Sequence, residues 1–417
     1  MGRKMKLFVF GVLIATGIAL AGGTIYYIFV VHPQDSTVLN TRNAENRRSM
    51  TNQQIHKNWV IKKMQEHPKN SDISQSGTQA VDRLANKAQT QLQVHIKQEN
   101  IVGSLLLIQN GTIIYHQGFG FANAATRRFN TVRSLYQIGS AQKSITAVAI
   151  AQLVKEGKVH YGDNIHSYYV QIPSDYHVTI RQMLNMTSGF NANLQVPTKP
   201  LNDAQTVHMA LTELRYNAKG YGQFNYQPVN YVLLAGIVAA KSGETYEQYV
   251  DRHFFVPLHL SDKQMGFEWN LKNQVDQTTS YALGPGSNLY SKVAVESVAD
   301  MRNELGTGNI YSSTYAFYRL EKEISSGRFV SLKQLAILRN TTGGKYGGGI
   351  YNYANSVYSH GVKNSQELLF MMSNDGKTAA LLMLNRATTP NGAARQRIQW
   401  YYQFARTAAV VKSSSNG

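Results

Sequence analysis

At 417 residues and 43% hydrophobic content, the chain can bury one large core or two average ones, which excludes a low-complexity disordered polymer. It has no cysteine, and its 12 histidines follow no ligand spacing, so disulfide stapling, a thiolate metal site and any other metal centre or cofactor are not expected. Ten of the 42 Lys and Arg and four of the 24 Asp and Glu precede Gln79, so the remainder keeps a net charge of +12, a field that either gathers polyanions or simply confers solubility.

In chain order, a basic leader (1–6) precedes the uncharged stretch 7–31, whose 25 residues suffice to cross roughly 30 Å of hydrocarbon as a helix. Ala19-Leu20-Ala21 also resembles a secretory cleavage site. The apolar run continues for ten residues beyond it, however, and predicts an uncleaved anchor. Lys and Arg flank the stretch on both sides, so charge alone does not orient it. Residues 32–78, rich in Asn, Gln, Ser and Lys, read as a flexible tether, and 411–417 as a short disordered tail.

The folded domain is expected over 79–410. Apolar residues at helical spacing (Val81, Leu84, Ala85, Ala88, Leu92) predict an opening amphipathic helix. Strands at 104–108 and 112–116 flank Asn110-Gly111, and strands at 367–372 and 378–384 flank Asp375-Gly376, each the signature of a tight hairpin. Between these β regions the patterns predict helices at 140–156, 179–186, 227–242 and 245–253, and a last helix closes the domain over 393–408. The sum is an α+β fold: an antiparallel sheet flanked by helices, with a mainly helical lobe and one cleft between.

Ser140-Ala141-Gln142-Lys143 opens a nearly all-apolar helix, and three-residue spacing places hydroxyl and amine on one face. A serine hydroxyl becomes a nucleophile when a neighbouring base takes its proton, and a partly buried lysine beside it can serve. The N–H groups at the helix start favour a developing oxyanion. Other features carry no such chemistry. Lys377-Thr378-Ala379 follows the Asp375-Gly376 turn and reads as a solvated hairpin lysine, and Gly347-Gly348-Gly349 lacks the Lys-Ser/Thr of a phosphate loop and reads as a flexible strand entry.

The run 136–158 resembles the serine β-lactamase and penicillin-binding-protein superfamily, class C type, and further landmarks appear in order at 179–189, 224–236 and 306–313. The resemblance covers about 102–406 and implies a β-lactamase/transpeptidase-like fold. It makes Ser140 the nucleophile, Lys143 its proton partner and Tyr226 a proton relay. Pro228 stands where the family has an asparagine, leaving Gln227 or Asn230 to bind substrate. In the third element, His360-Gly361-Val362 takes the place of Lys-Thr-Gly: His360 and Gly361 would face substrate, and the amide of Lys363 would join that of Ser140 in holding the oxyanion.

The motif 138–143, the pattern 103–111 and the turn 308–311 are most similar to the Fmt-type family of membrane-anchored teichoic-acid D-alanyl esterases, known as methicillin-resistance factors. This similarity implies a single-pass protein of the Gram-positive cell membrane with its catalytic domain outside, acting on D-alanyl esters of an anionic envelope polymer, with no nucleic-acid partner. Two alternatives stay open: a D-alanyl-D-alanine carboxypeptidase or β-lactamase-like enzyme acting on peptidoglycan or its mimics, and a polymer-binding surface protein with little turnover.

Overall fold

Seven antiparallel strands form the central sheet of this computed structural model: β1 (Gly103–Gln109), β2 (Thr112–Phe119), β3 (Tyr346–Gly347), β4 (Ile350–Asn352), β5 (Ser356–Lys363), β6 (Gln366–Ser373) and β7 (Ala379–Leu384). Their spatial order is β3-β4-β5-β6-β7-β1-β2, so the first hairpin of the domain packs beside the last. The structure describes residues 83–283, 289–341, 345–390 and 392–411, all within one unit, Trp59–Gly417. The expected anchor (7–31), the tether (32–78) and residues 412–417 of the expected tail lie outside the described residues. Among the described residues no helix is long and apolar enough to cross a membrane.

Side chains alternate across a strand, and here both faces are covered, which is why the strands read as unbroken apolar runs. Along β6, Leu368, Phe370 and Met372 enter one core, while Leu369 and Met371 enter the other. The second core is closed by α1 (Asn86–Gln98), through Ala88, Leu92 and Ile96, and by the C-terminal helix α5 (Ala394–Thr407), through Ile398 and Tyr401. The larger core joins the opposite face to α2 (Lys143–Lys155), α3 (Val229–Ser242) and α4 (Thr314–Ser325). Leu92 and Ile398 are fully buried, each worth roughly 2–3 kcal/mol of apolar burial.

The expected α+β architecture and both expected hairpins are present, with Asn110 and Gly111 at φ 52° and 80° in the first turn. Local departures have simple causes. The first helix begins at Asn86 because Arg83–Leu84 pair as a strand with Val410–Val411, and Ala85 N–H donates to Ala409 O at 2.9 Å. That pairing also places Val411 in a strand where a tail was expected. In the triple-glycine segment Gly347 ends β3 and Gly348-Gly349 make the tight turn to β4, where a Cβ on Gly349 would lie 2.2 Å from Lys143 O, so the turn packs directly on the start of α2.

Candidate active site

Gly139 fixes the geometry. It adopts φ +49°, a region open to glycine, and a Cβ there would lie 2.8–2.9 Å from the backbone O, C and N of Val362. Residues Gly139–Gln142 form a 3-10 turn that passes directly into α2, so Ser140 sits on tighter backbone than the α-helix expected from its sequence. In a 3-10 turn residues three apart eclipse one another, which brings Ser140 and Lys143 closer still. Lys143 Nζ is 3.0 Å from Ser140 Oγ and also donates to Thr307 O at 3.0 Å. Lys143 is fully buried and Ser140 half-buried, at the cleft end of a helix buried nearly all round.

The glycine-bearing segment after the short helix Val298–Asn303 holds that lysine. Gln142 and Asn309 exchange hydrogen bonds, Nε2 to Oδ1 at 2.7 Å and Asn309 N–H to Oε1 at 2.6 Å. Thr146 Oγ1 donates to Gly306 O at 2.7 Å. These clamps lock the carbonyl of Thr307 over α2. The sequence marks the segment as a turn but gives no sign that its backbone seats the lysine.

Tyr226 stands beside the pair, with Lys143 Nζ 5.4 Å from its ring centroid and Tyr346 packed edge-on at 5.5 Å. Gln227 is half-buried in the same turn. Asn230 is placed differently from the substrate-facing expectation: it is fully buried, its Oδ1 accepts from Ser188 Oγ at 2.7 Å and its Nδ2 donates to Gln227 O at 3.0 Å. Every strong partner of its amide is internal, so it ties the Tyr226 turn to the Thr187-Ser188 loop and leaves nothing for a ligand.

The third element is shifted by one residue from its expected reading. Asn364 and Ser365, at φ 45° and 64°, form a two-residue turn joining β5 to β6, so Lys363 and Gln366 are the hydrogen-bonded pair that closes it. Hydrogen-bonded pairs alternate in an antiparallel ladder. Gly361 and Ser359 therefore also bond to β6, while His360 and Val362 turn their N–H and C=O groups to the other edge. Ser356, on the same parity, confirms this by accepting from Tyr353 N–H at 2.8 Å on the β4 side. Beyond Tyr358 that edge is uncovered by β4 and faces the Ser140 turn.

Two expectations change as a result. The Lys363 amide is spent in the ladder, and the free amide beside Gly139 and Ser140 is that of Val362. The His360 side chain lies on the α1 and α5 face of the sheet, opposite its partner Leu369, and its Nε2 bonds Glu367 Oε1 at 2.9 Å. Ser359, buried on the other face, occupies the position of the family's lysine. Gly361 is tightly confined: a Cβ on it would lie 1.9 Å from Ile138 O. Counting residues back from the Asn364-Ser365 turn gives this parity, but the turn lacks the Asn-Gly or Asp-Gly signature of the other two hairpins.

The Lys363 side chain reaches beneath the strand to Glu296 Oε1 at 2.6 Å and to Glu304 Oε1 at 3.7 Å. Burial works to lower its affinity for a proton, and Glu304, Glu268 and Glu296 together overcome it, holding the ammonium charged beyond its usual range. Glu268, fully buried, is pushed well above the carboxylate range by burial first and by Glu296 second. None of these acids was singled out by sequence, since only the fold gathers them.

A β-lactamase family model matches residues 81–402. A putative penicillin-binding protein PbpX of Bacillus subtilis is 27% identical over 297 residues, covering 70% of this chain and 72% of that protein. Protein flp of Staphylococcus aureus is 27% identical over 202 residues, 45% of this chain, which spans 41% of flp's length. Among solved structures, FmtA from Staphylococcus aureus superposes with TM-score 0.68 at 18% identity, covering 86% of this chain and 96% of FmtA. D-amino acid amidase from Ochrobactrum anthropi superposes with TM-score 0.62 at 18% identity, covering 77% and 96%. With the Ser140–Lys143 pair at the head of its buried helix and the match running from 81 to 402, the chain belongs to the β-lactamase family, the superfamily of serine β-lactamases and penicillin-binding proteins.

Proposed function

We propose that this protein is a serine acyl-hydrolase anchored in the cell membrane with its catalytic domain outside, removing D-alanyl groups esterified to an anionic envelope polymer such as teichoic acid. Ser140 Oγ attacks the ester carbonyl as its proton moves along the 3.0 Å line to Lys143 Nζ. The carbonyl oxygen becomes an anion received by the amides of Ser140 and Val362. Collapse breaks the bond to the polymer hydroxyl, which leaves with a proton relayed through Lys143 and Tyr226, and water then releases D-alanine by the reverse path.

The observation that carries this reading over peptidoglycan cleavage is what stands at the third element. A carboxypeptidase or a β-lactam-binding site needs a cation for its ligand's carboxylate. Here that place holds Ser359, His360 is turned to the far face, and Lys363 is engaged by Glu296 and Glu304. An ester of a neutral hydroxyl needs no such cation. The +12 domain suits the polyanion that bears the ester, and one neighbour of the same fold is named a D-amino acid amidase.

Incubation with D-alanylated teichoic acid, with nitrocefin assayed alongside, tests the reading. Release of D-alanine without nitrocefin turnover is expected. Nitrocefin turnover with no D-alanine released selects the β-lactam and carboxypeptidase reading, and silence in both assays selects a binding protein.

Val362→Pro tests the oxyanion assignment. Its amide faces the open edge, so proline removes no ladder bond, as edge strands allow. Hydrolysis is expected to fall roughly 10²- to 10³-fold, the effect of removing one oxyanion donor. Wild-type turnover in that variant would return the role to another amide.

A further inference from the structure

Between the Pro228 turn and the Lys363 end of β5 lies a cavity of about 260 Å³, below the roughly 300–1,000 Å³ of pockets that take drug-sized ligands. Its apolar wall is Ala192, Leu194, Val196 and Pro228, and its polar wall includes Glu304 and Lys363. Gly308 ties this cavity to the reacting serine. A Cβ on Gly308 would lie 3.2 Å from Glu304 Oε2, 3.2 Å from Gly139 Cα and 3.3 Å from Gly139 C, so the carboxylate and the backbone bearing Ser140 flank a single residue.

The sign of the pocket is opposite to that of the domain. Its lining sets two carboxylates, Asp300 and Glu304, against the one ammonium of Lys363, which is itself paired with Glu296. Burial acts to raise the Glu304 carboxyl, but Lys363 and the Thr307 hydroxyl outweigh it and keep Glu304 anionic. Lys363 is seated on Glu296 at 2.6 Å and makes only a longer ion pair with Glu304, at 3.7 Å, which leaves that carboxylate room for a closer cation. Thr307 Oγ1 donates to Glu304 Oε2 at 2.6 Å and fixes the carboxylate, and the side chain stays 38% exposed.

We propose that Glu304 receives the free α-ammonium of the aminoacyl group whose carbonyl is held at Ser140, making this protein selective for esters of small amino acids over those of plain carboxylic acids. The inference rests on the acyl-hydrolase reading above. In an aminoacyl ester the nitrogen is two bonds from the carbonyl carbon, which matches a carboxylate one glycine away from the nucleophile's backbone. The apolar wall then meets the small side chain, and the pocket's one ammonium, that of Lys363, is already seated on Glu296. The polymer's negative charge meets the positive surface while the ammonium meets the acidic pocket.

The test compares kcat/KM of the full-length protein on D-alanyl glycerol and propionyl glycerol, which differ only by the amino group, with Ser140→Ala as the blank. A preference for the D-alanyl ester of roughly 10- to 100-fold is expected, the worth of one charge-assisted hydrogen bond. In Glu304→Gln the ratio of the two should fall toward one, and in Glu304→Asp it should fall partway. Equal wild-type rates on both esters, or an unchanged ratio in Glu304→Gln, overturns the assignment to Glu304 and leaves the esterase intact. Hydrolysis of neither ester removes the acyl-hydrolase reading and this one with it. Equal wild-type rates overturn the assignment without any variant, and Glu304→Asp supplies the comparison where Glu304→Gln folds poorly.

Discussion

Ser140→Ala is expected to abolish covalent labelling by a fluorophosphonate and to lower ester hydrolysis by up to roughly 10⁶-fold, as loss of the nucleophile does in other serine hydrolases. The fold should survive. The hydroxyl's partner is Lys143, and that amine keeps its bond to Thr307 O, so the stability change should stay within about 1 kcal/mol. Intact-mass spectrometry before and after the probe reads the labelling, and a thermal melt reads the fold. A mass shift in the alanine variant equal to that of the wild type would place the nucleophile elsewhere.

Lys143→Ala is expected to slow acylation roughly 10²- to 10⁴-fold, the usual contribution of a positioned proton-transfer group. Unlike the serine change, this one should also cost stability, because Thr307 O loses its donor in a buried setting, at about 1–3 kcal/mol. Lys143→Met restores most of the volume and separates the two effects. Rates of probe labelling should fall alike in both variants, whereas the melting temperature should recover in part with methionine. Labelling at wild-type speed in the methionine variant would show that the amine only packs.

How far these assignments could be read from sequence follows the range of the interactions involved. Ser140 and Lys143 are three residues apart, so local helical geometry sufficed, and the shift from α to 3-10 backbone did not disturb their meeting. The turns at Asn110-Gly111 and Asp375-Gly376 were legible because Asn110, Gly111 and Gly376 take the positive φ that such residues allow. The third element was misplaced by one residue because facing in a strand has period two, and only the turn at Asn364-Ser365 sets its parity. Asn230 looked available because sequence does not show that Ser188, 42 residues earlier, takes its carbonyl. Glu304 was invisible for the same reason: it acquires meaning only when Gly308 brings it against Gly139.

The pairing of Arg83–Leu84 with Val410–Val411 has a mechanical consequence. The two ends of the described residues meet at one bridge of two residues, on the side of the sheet covered by α1 and α5. Tension applied at Arg83 is therefore borne first by that bridge and those two helices, and the turn carrying Ser140, across the sheet, is shielded from the load. The same closeness of ends makes the domain a natural ring. A short splice from Val411 to Arg83 would permit new ends at an exposed turn such as Asn374-Asp375, with the nucleophile's surroundings left whole.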